Sequence, residues 1–241
     1  MLDVQKKEYI SGSIWEFLTE KEEQYIKSLY SDILIKFKDN TDLVTYLYSS
    51  FNTHPKCIQS GYYDKETFEE IKQYVDFNGD ELIQPHQQNK LLHTDLFEVE
   101  KRFGLEYKYF ENTFYKIMDN IAAKIINYHY NKNISGDEFV QRAQLAWYTD
   151  GDFIKMHDDG PSNDRICALL IYLTPAEFYK IGSGGELVLK NRQNTIDIVY
   201  PILGNYAIID FTKNSPVHSV HKVMGDFNRF SYLNFVEIKN V

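Results

Sequence analysis

The second half of this 241-residue chain is a series of short apolar segments separated by turn-forming residues. Segments rich in Val, Ile, Leu, Tyr and Phe alternate with Gly, Pro, Asn and Asp, which is typical of strands joined by turns. Eight strands are predicted, over residues 141–149, 153–157, 165–174, 186–190, 195–199, 206–211, 217–223 and 229–238. We expect these strands to form the two facing sheets of a jelly roll, also called a double-stranded β-helix.

The first half of the chain predicts helices, because apolar residues recur there at helical spacing. Predicted helices cover residues 11–27, 65–75, 95–104 and 107–131, and the third of them begins with a capping-box pattern. We therefore expect an α+β protein with a single domain, 1–241. In this domain a mainly helical support region, 1–135, packs on one sheet of a jelly-roll catalytic core, 136–241.

Composition excludes several classes of protein. The net charge is −9 and the isoelectric point is near 5.3, which argues against a nucleic-acid binder because such a protein needs a basic face. Two cysteines do not make a disulfide framework. No apolar run approaches the roughly 20 residues of a membrane span, and the first residues are too charged for a signal peptide. We expect a cytoplasmic protein that binds neither nucleic acid nor membranes.

Two histidines and one carboxylate form a candidate metal site in the strand-rich half. His157 and Asp159 are two residues apart, a spacing that puts both side chains on one face of a strand and turns Asp158 to the other. His218 follows much later, in another predicted strand. Two imidazoles and one carboxylate can hold one face of a divalent ion and leave the other open, as in non-haem Fe(II) oxygenases.

An arginine next to this site is a candidate anion clamp. Arg229 lies on the strand that follows His218, and its guanidinium can bind a carboxylate with two parallel hydrogen bonds. Ser231 shares the face of Arg229, because side chains repeat every two residues along a strand. The sequence therefore predicts a metal ion and an organic anion side by side.

These residues resemble the 2-oxoglutarate-dependent Fe(II) dioxygenases and, within them, the prolyl 4-hydroxylase-like branch. The similarity runs from about residue 141 to residue 241. Five elements carry it in the order of the family: Leu145-Ala146-Trp147-Tyr148, then Gly151-Asp152-Phe153 before the His-x-Asp pair, the strand 166–173, Ser183-Gly184-Gly185-Glu186-Leu187, and His218-x-Val220 followed by Arg229-x-Ser231.

The resemblance implies a role for each residue of the site. It implies that His157, Asp159 and His218 bind Fe(II), and that Arg229 holds the distal carboxylate of 2-oxoglutarate with the help of Ser231.

Two tyrosines are further candidates to donate hydroxyl groups to 2-oxoglutarate. The resemblance favours Tyr172 over Tyr148 for the distal carboxylate. Packing in the core is the alternative for both, because the chain contains 19 tyrosines.

Two other histidines compete with these assignments. His221 lies three residues after His218, so a regular strand points the two side chains to opposite faces and only one can reach the metal. We favour His218, on this alternation and on the family's spacing to the arginine. A second His-x-Asp occurs at His93 and Asp95, where Asp95 is better explained as a helix cap.

The resemblance implies a hydroxylase that consumes 2-oxoglutarate and dioxygen and releases succinate and carbon dioxide, with ascorbate supporting activity. Asp159 as a ligand favours hydroxylation over halogenation. The expected substrate is a prolyl residue in a peptide or protein, as for procollagen-proline 4-dioxygenase. The alternatives are hydroxylation of a free amino acid or other small molecule, a jelly-roll binding module without turnover, and a zinc hydrolase.

Overall fold

The computed structural model describes residues 8–35, 44–49, 60–78, 86–92, 105–138, 143–159, 165–211 and 216–237. The α-helices within these residues are α1 (Glu20–Ile33), α2 (Lys65–Asn78) and α3 (Leu105–Tyr130). The strands are β1 (Tyr9–Ser13), β2 (Val44–Ser49), β3 (Ser60–Tyr63), β4 (Gln87–Leu92), β5 (Ala143–Tyr148), β6 (Phe153–His157), β7 (Cys167–Tyr172), β8 (Leu187–Lys190), β9 (Ile196–Val199), β10 (Asn205–Asp210), β11 (Val217–Val220) and β12 (Arg229–Val236).

The strands form one antiparallel sheet in the order β1-β10-β7-β12-β5-β4-β6-β11-β8-β9, and β2 pairs with both β3 and β4. Residues from β5, β7 and β12 line the same interior cavity as residues from β6, β8 and β11. The sheet therefore curls on itself into two facing halves, and the predicted jelly roll is confirmed. The eight strands predicted in 136–241 are all present, each within three residues of its predicted ends.

Helices cover one side of this sheet, as predicted. Strand β7 is buried on both faces, so its side chains alternate between two cores. Cys167, Leu169 and Ile171 pack with the helices, and Ala168, Leu170 and Tyr172 pack in the interior of the roll. The core on the helical side contains residues of α1 and α3, among them Ile26, Leu29, Ile121 and Ile125. No helix in the described residues is long and apolar enough to cross a membrane.

The first 135 residues contain more β-structure than the sequence predicted. Four strands lie in the part of this region that the structure describes, and β1 occupies the start of the predicted helix 11–27. Helix α1 begins only at Glu20, because the side chain of Thr19 accepts a bond from the backbone of Glu22 in a capping box. The predicted helix 95–104 lies outside the described residues, as do His93 and Asp95. The division of one domain at residue 135 stays a prediction.

A buried carboxyl group joins α3 to β12. Asp119 accepts hydrogen bonds from the hydroxyl of Tyr232 and, at 3.4 Å, from the amide of Asn234. Burial raises the pKa of Asp119 to about 6, since the charged form loses its hydration there. The folded protein therefore holds the proton of this carboxyl more tightly than the unfolded chain does.

The contribution of Asp119 to stability should fall as the pH rises from about 4 to about 6. A group whose pKa is raised by folding stabilises the fold below its unfolded pKa and loses that contribution above its folded pKa, here roughly 2–3 kcal/mol. Asp119→Asn should remove this part of the pH dependence, and the exposed control Asp226→Asn should keep it. Chemical denaturation between pH 4 and 7 would measure the effect, and identical profiles for the two variants would contradict it.

Candidate metal and co-substrate site

Strands β6 and β11 bring the two predicted histidine ligands face to face. His218 is the register partner of His157, and their ring centroids are 4.2 Å apart. The Asp159 oxygens lie 3.6 Å from Nε2 of His157 and 3.5 Å from Nε2 of His218. All three potential ligand atoms lie within 4.8 Å of one another, which is close enough for one ion to contact them all.

Backbone carbonyl groups orient both imidazoles toward this point. Nδ1 of His157 lies 2.9 Å from the carbonyl oxygen of Lys155, and Nδ1 of His218 lies 3.0 Å from that of Pro216. Each Nδ1 donates its proton to the carbonyl, which leaves the lone pair on Nε2 for a metal. This arrangement of ligand and second partner is the usual one for histidines that bind metals.

The electrostatics of the site suit a divalent cation. Burial favours the neutral form of His218 and keeps its pKa below the usual value. Burial alone would raise the pKa of Asp159, but the hydrogen bond with His157 and the charge of His218 outweigh it and lower that pKa. Burial alone would lower the pKa of His157, but its hydrogen bonds with Asp159 and with the carbonyl of Lys155 outweigh it and raise that pKa. His218 and Asp159 therefore favour the neutral imidazole and the ionised carboxylate that Fe(II) binds, whereas His157 would release a proton when the ion binds.

His221, the alternative to His218 as the third ligand, contacts a different set of residues. Nδ1 of His221 is 3.2 Å from a carboxylate oxygen of Glu186, and the side chain is 54% exposed. The same carboxylate also accepts a bond from the hydroxyl of Tyr179. His221 thus faces away from His157, and His218 is the histidine that the structure places there.

Arg229 is 1% exposed and has hydrogen-bond partners for only part of its guanidinium. Nε donates to the carbonyl oxygen of Gly185 at 2.8 Å, and Nη1 donates to Oγ of Ser231 at 3.2 Å. The guanidinium lies over the rings of Tyr148 and Tyr172, at 4.4 and 5.1 Å from their centroids. Nη2 of Arg229 and the hydroxyl of Tyr172 have no hydrogen-bond partner among the described residues.

These two unpaired groups indicate a ligand carboxylate. Buried polar atoms without partners are rare and costly, and a carboxylate beside Nη2 of Arg229 and the Tyr172 hydroxyl would satisfy both. Arg229 lines a cavity of about 230 Å³ that also contains His157 and Asp159. The cavity thus joins an anion clamp to a metal site, as a chelating dicarboxylate requires. Of the two tyrosines, Tyr172 has a buried hydroxyl without a partner among the described residues, whereas Tyr148 lines the cavity itself.

Residues 143–237 match the profile of the 2OG-Fe(II) oxygenase superfamily. This part of the chain is therefore similar in sequence to that superfamily. Its members use Fe(II), 2-oxoglutarate and dioxygen, and the His-Asp-His cluster lies within the matched region. No curated protein sequence matches the chain significantly.

Solved structures resemble this chain over nearly its whole length. A prolyl 4-hydroxylase from Pseudomonas putida is 13% identical with a TM-score of 0.56, and the match covers 99% of this chain and 96% of that one. A collagen prolyl hydroxylase from Paramecium bursaria Chlorella virus-1 is 14% identical with a TM-score of 0.45, covering 97% and 98%. At 13% identity, the similarity to the Pseudomonas putida structure establishes a shared fold but does not identify the substrate.

The segment Ser183–Glu186 supports the clamp, a role in the site that its sequence did not predict. Gly185 supplies the carbonyl oxygen that binds Nε of Arg229. Gly184 has φ +74°, and a Cβ at this position would lie 1.8 Å from the carbonyl oxygen of Lys222. Only glycine fits so close to a neighbouring backbone, so this residue fixes the approach of the loop to the chain just after β11.

Gly184→Ala should therefore destabilise the fold strongly. The positive φ alone costs about 1–3 kcal/mol for a residue with a Cβ, and the collision with Lys222 adds to this. Gly182→Ala is a matched control, because Gly182 has φ +93° but a Cβ added there would meet nothing within 4 Å. Thermal unfolding should show a clearly lower Tm for Gly184→Ala than for Gly182→Ala. Equal Tm values would mean that the close approach has no energetic role.

Strand β4 and the residue before it contribute side chains that the sequence did not predict for the site. The ring of His86 packs edge-on against that of His157, with centroids 4.9 Å apart. Gln87 and Asn89 line the cavity. On the opposite face of β4, Lys90 forms a buried ion pair with Asp152, which is fully buried in the turn before β6. Strand β4 therefore supports the metal strand β6 from both of its faces.

Proposed function

We propose that this protein is a 2-oxoglutarate- and Fe(II)-dependent hydroxylase that acts on a prolyl residue of a peptide or protein. The observation that carries the proposal is a single cavity with a metal-binding triad and a buried, partly unpaired arginine. A binding module without turnover has no need for both features. The reaction would release succinate and carbon dioxide, with ascorbate as a supporting reductant.

In this proposal one group of residues binds the metal ion and another binds the co-substrate. His157, Asp159 and His218 would hold Fe(II), which supplies the activation of dioxygen. Arg229 and Tyr172 would hold the distal carboxylate of 2-oxoglutarate, so that its other end can reach the ion. Because the triad occupies only one face of the ion, positions remain for the 2-oxo acid and for dioxygen.

Two observations support a prolyl substrate. The sequence resembles the prolyl hydroxylase branch at Trp147-Tyr148, at Gly184-Gly185 and from His218 to Arg229. The cavity wall is largely apolar, with Ile154, Leu233 and Phe235 among its residues. Such a wall suits the hydrocarbon ring of proline and also excludes water from the reacting centre.

A substrate panel tests this proposal directly. The protein would be incubated with Fe(II), ascorbate and 2-oxoglutarate, with proline-containing peptides in one set and free amino acids in the other. We expect a prolyl peptide to stimulate succinate release and to gain one oxygen atom on proline, as measured by mass spectrometry. Oxidation of free amino acids alone, with every prolyl peptide inert, would reject the peptide substrate. Absence of any 2-oxoglutarate consumption would reject the oxygenase activity itself.

A further inference from the structure

The cavity has a neutral polar wall in addition to its metal site and its clamp. Gln87 and Asn89 are two residues apart on β4, so their side chains share the face that lines the cavity. Nε2 of Gln87 donates a hydrogen bond to Oδ1 of Asn89 at 2.8 Å. Asn89 is only 1% exposed and Gln87 is half-buried, so Asn89 anchors the pair in the interior.

The pair lies beside the metal strand. Strand β4 runs between β5 and β6, and Gln87 is the register partner of Ile154 on β6. The neighbouring His86 packs against the ring of His157. On the other side, Asn89 is the register partner of Leu47, another cavity residue. A ligand near the iron site would therefore meet these carboxamides and an apolar surface together.

The hydrogen bond within the pair determines what the carboxamides can offer a ligand. It uses the oxygen of Asn89 and one N–H of Gln87, so the oxygen of Gln87 and the amide N–H groups of Asn89 remain. Neither of these remaining groups is bonded to another described residue. The pair thus presents one acceptor and one donor, which can bind an N–H and a C=O of a substrate main chain.

The charged residues around the cavity also favour an amide-linked ligand over a free amino acid. Among the described residues that line the cavity, Asp159 and Arg229 are the only ones with a formal charge besides the histidines, and both have roles in the proposed site. A free amino acid would bring an ammonium group that finds no other carboxylate there. A residue within a peptide, or one capped at both ends, brings neutral amides instead and avoids this desolvation cost.

We propose that Gln87 and Asn89 bind a main-chain amide of the substrate, next to the residue that is oxidised. This inference rests on the proposed hydroxylase function, and it identifies the substrate class as an amide-linked residue and not a zwitterionic amino acid. The two carboxamides are then specificity-determining residues that select a peptide and fix its position relative to the iron.

The test compares each amino acid as its N-acetyl, N-methylamide derivative with the same amino acid uncapped. Succinate release from 2-oxoglutarate is measured with Fe(II) and ascorbate for the unaltered protein and three variants: Asn89→Ala, Asn89→Asp and the control Gln193→Ala. Gln193 is an exposed glutamine in a turn remote from the cavity. Asn89→Asp keeps the size of the side chain but removes its N–H donors and adds a negative charge.

We expect the unaltered protein to prefer the capped form of its best substrate. Asn89→Ala should raise the KM for that capped ligand roughly tenfold, the size expected for one or two lost hydrogen bonds, with a much smaller change in the KM for 2-oxoglutarate. Asn89→Asp should shift the preference toward the free amino acid, because the new carboxylate can pair with its ammonium group. Gln193→Ala should match the unaltered protein.

Four results would overturn the inference. One is a preference of the unaltered protein for free amino acids, and another is a capped ligand whose KM does not respond to either change at Asn89. The third is a panel in which no capped amide stimulates turnover, although 2-oxoglutarate alone is consumed slowly. In that last case the oxygenase activity stands and only the amide-binding role fails. Equal rises in KM for 2-oxoglutarate and for the capped ligand would assign the pair to the co-substrate instead.

Discussion

His218→Ala should abolish 2-oxoglutarate turnover in a protein that stays folded. His218 supplies one of three protein ligands, and its Nε2 lies 3.5 Å from the carboxylate of Asp159. Two remaining ligands would hold the ion weakly and in the wrong geometry, so turnover should fall to background. Succinate release measures the loss, Fe(II) titration measures the weakened binding, and circular dichroism verifies the fold. His157→Ala and Asp159→Ala should behave in the same way.

His221→Ala is the matched control for this experiment. His221 lies only three residues from His218, but it is half exposed and bound to Glu186. Its loss should leave turnover close to that of the unaltered protein. Full activity in folded His218→Ala, together with inactivity in His221→Ala, would transfer the third ligand position to His221.

Arg229→Ala should raise the KM for 2-oxoglutarate by about 100-fold and change Fe(II) binding far less. A charge-assisted, bidentate contact with a carboxylate typically contributes a few kcal/mol, which corresponds to this factor. The guanidinium is already held by Gly185 and Ser231, so it is oriented before the ligand arrives. Steady-state kinetics over a range of 2-oxoglutarate concentrations would measure the change.

Arg229→Lys tests whether the positive charge alone binds the carboxylate or whether the shape of the guanidinium is also needed. An ammonium group keeps the charge but cannot form two parallel hydrogen bonds, so this variant should recover only part of the lost affinity. Tyr172→Phe should have a smaller effect of the same kind, because it removes a single hydroxyl. An unchanged KM in folded Arg229→Ala would place the distal carboxylate elsewhere in the cavity.

The sequence predicted those parts of the site that depend on the spacing of residues within a single strand. The spacing of His157 and Asp159 places both on one side at the end of a strand, and alternation along β12 puts Ser231 on the face of Arg229. The eight strands of residues 136–241 were predictable because apolar residues and turn residues alternate at short intervals.

Strand β4 shows why the rest was not predictable. Its residues Gln87 to Lys90 are polar at every position, so the sequence lacks the apolar alternation that identifies a strand. The strand is buried nonetheless, because one face turns carboxamides into the cavity and the other pairs Lys90 with Asp152. The ion-pair partners are distant in sequence, and only the folded structure brings them together. His86 and His157 are likewise distant in sequence, so no local sequence pattern predicts the contact between their rings.

The face-to-face position of His157 and His218 also has a consequence for the stability of the fold. An ion held by both would be a cross-link between β6 and β11, which are far apart in the chain. The pairing of these strands is irregular just beyond His218, so their own hydrogen bonds hold them together less evenly than in a regular ladder. Ligands that bind only the native state stabilise it in proportion to the logarithm of their concentration. Iron supply would then determine how long each molecule survives unfolding and proteolysis, as well as how fast it works.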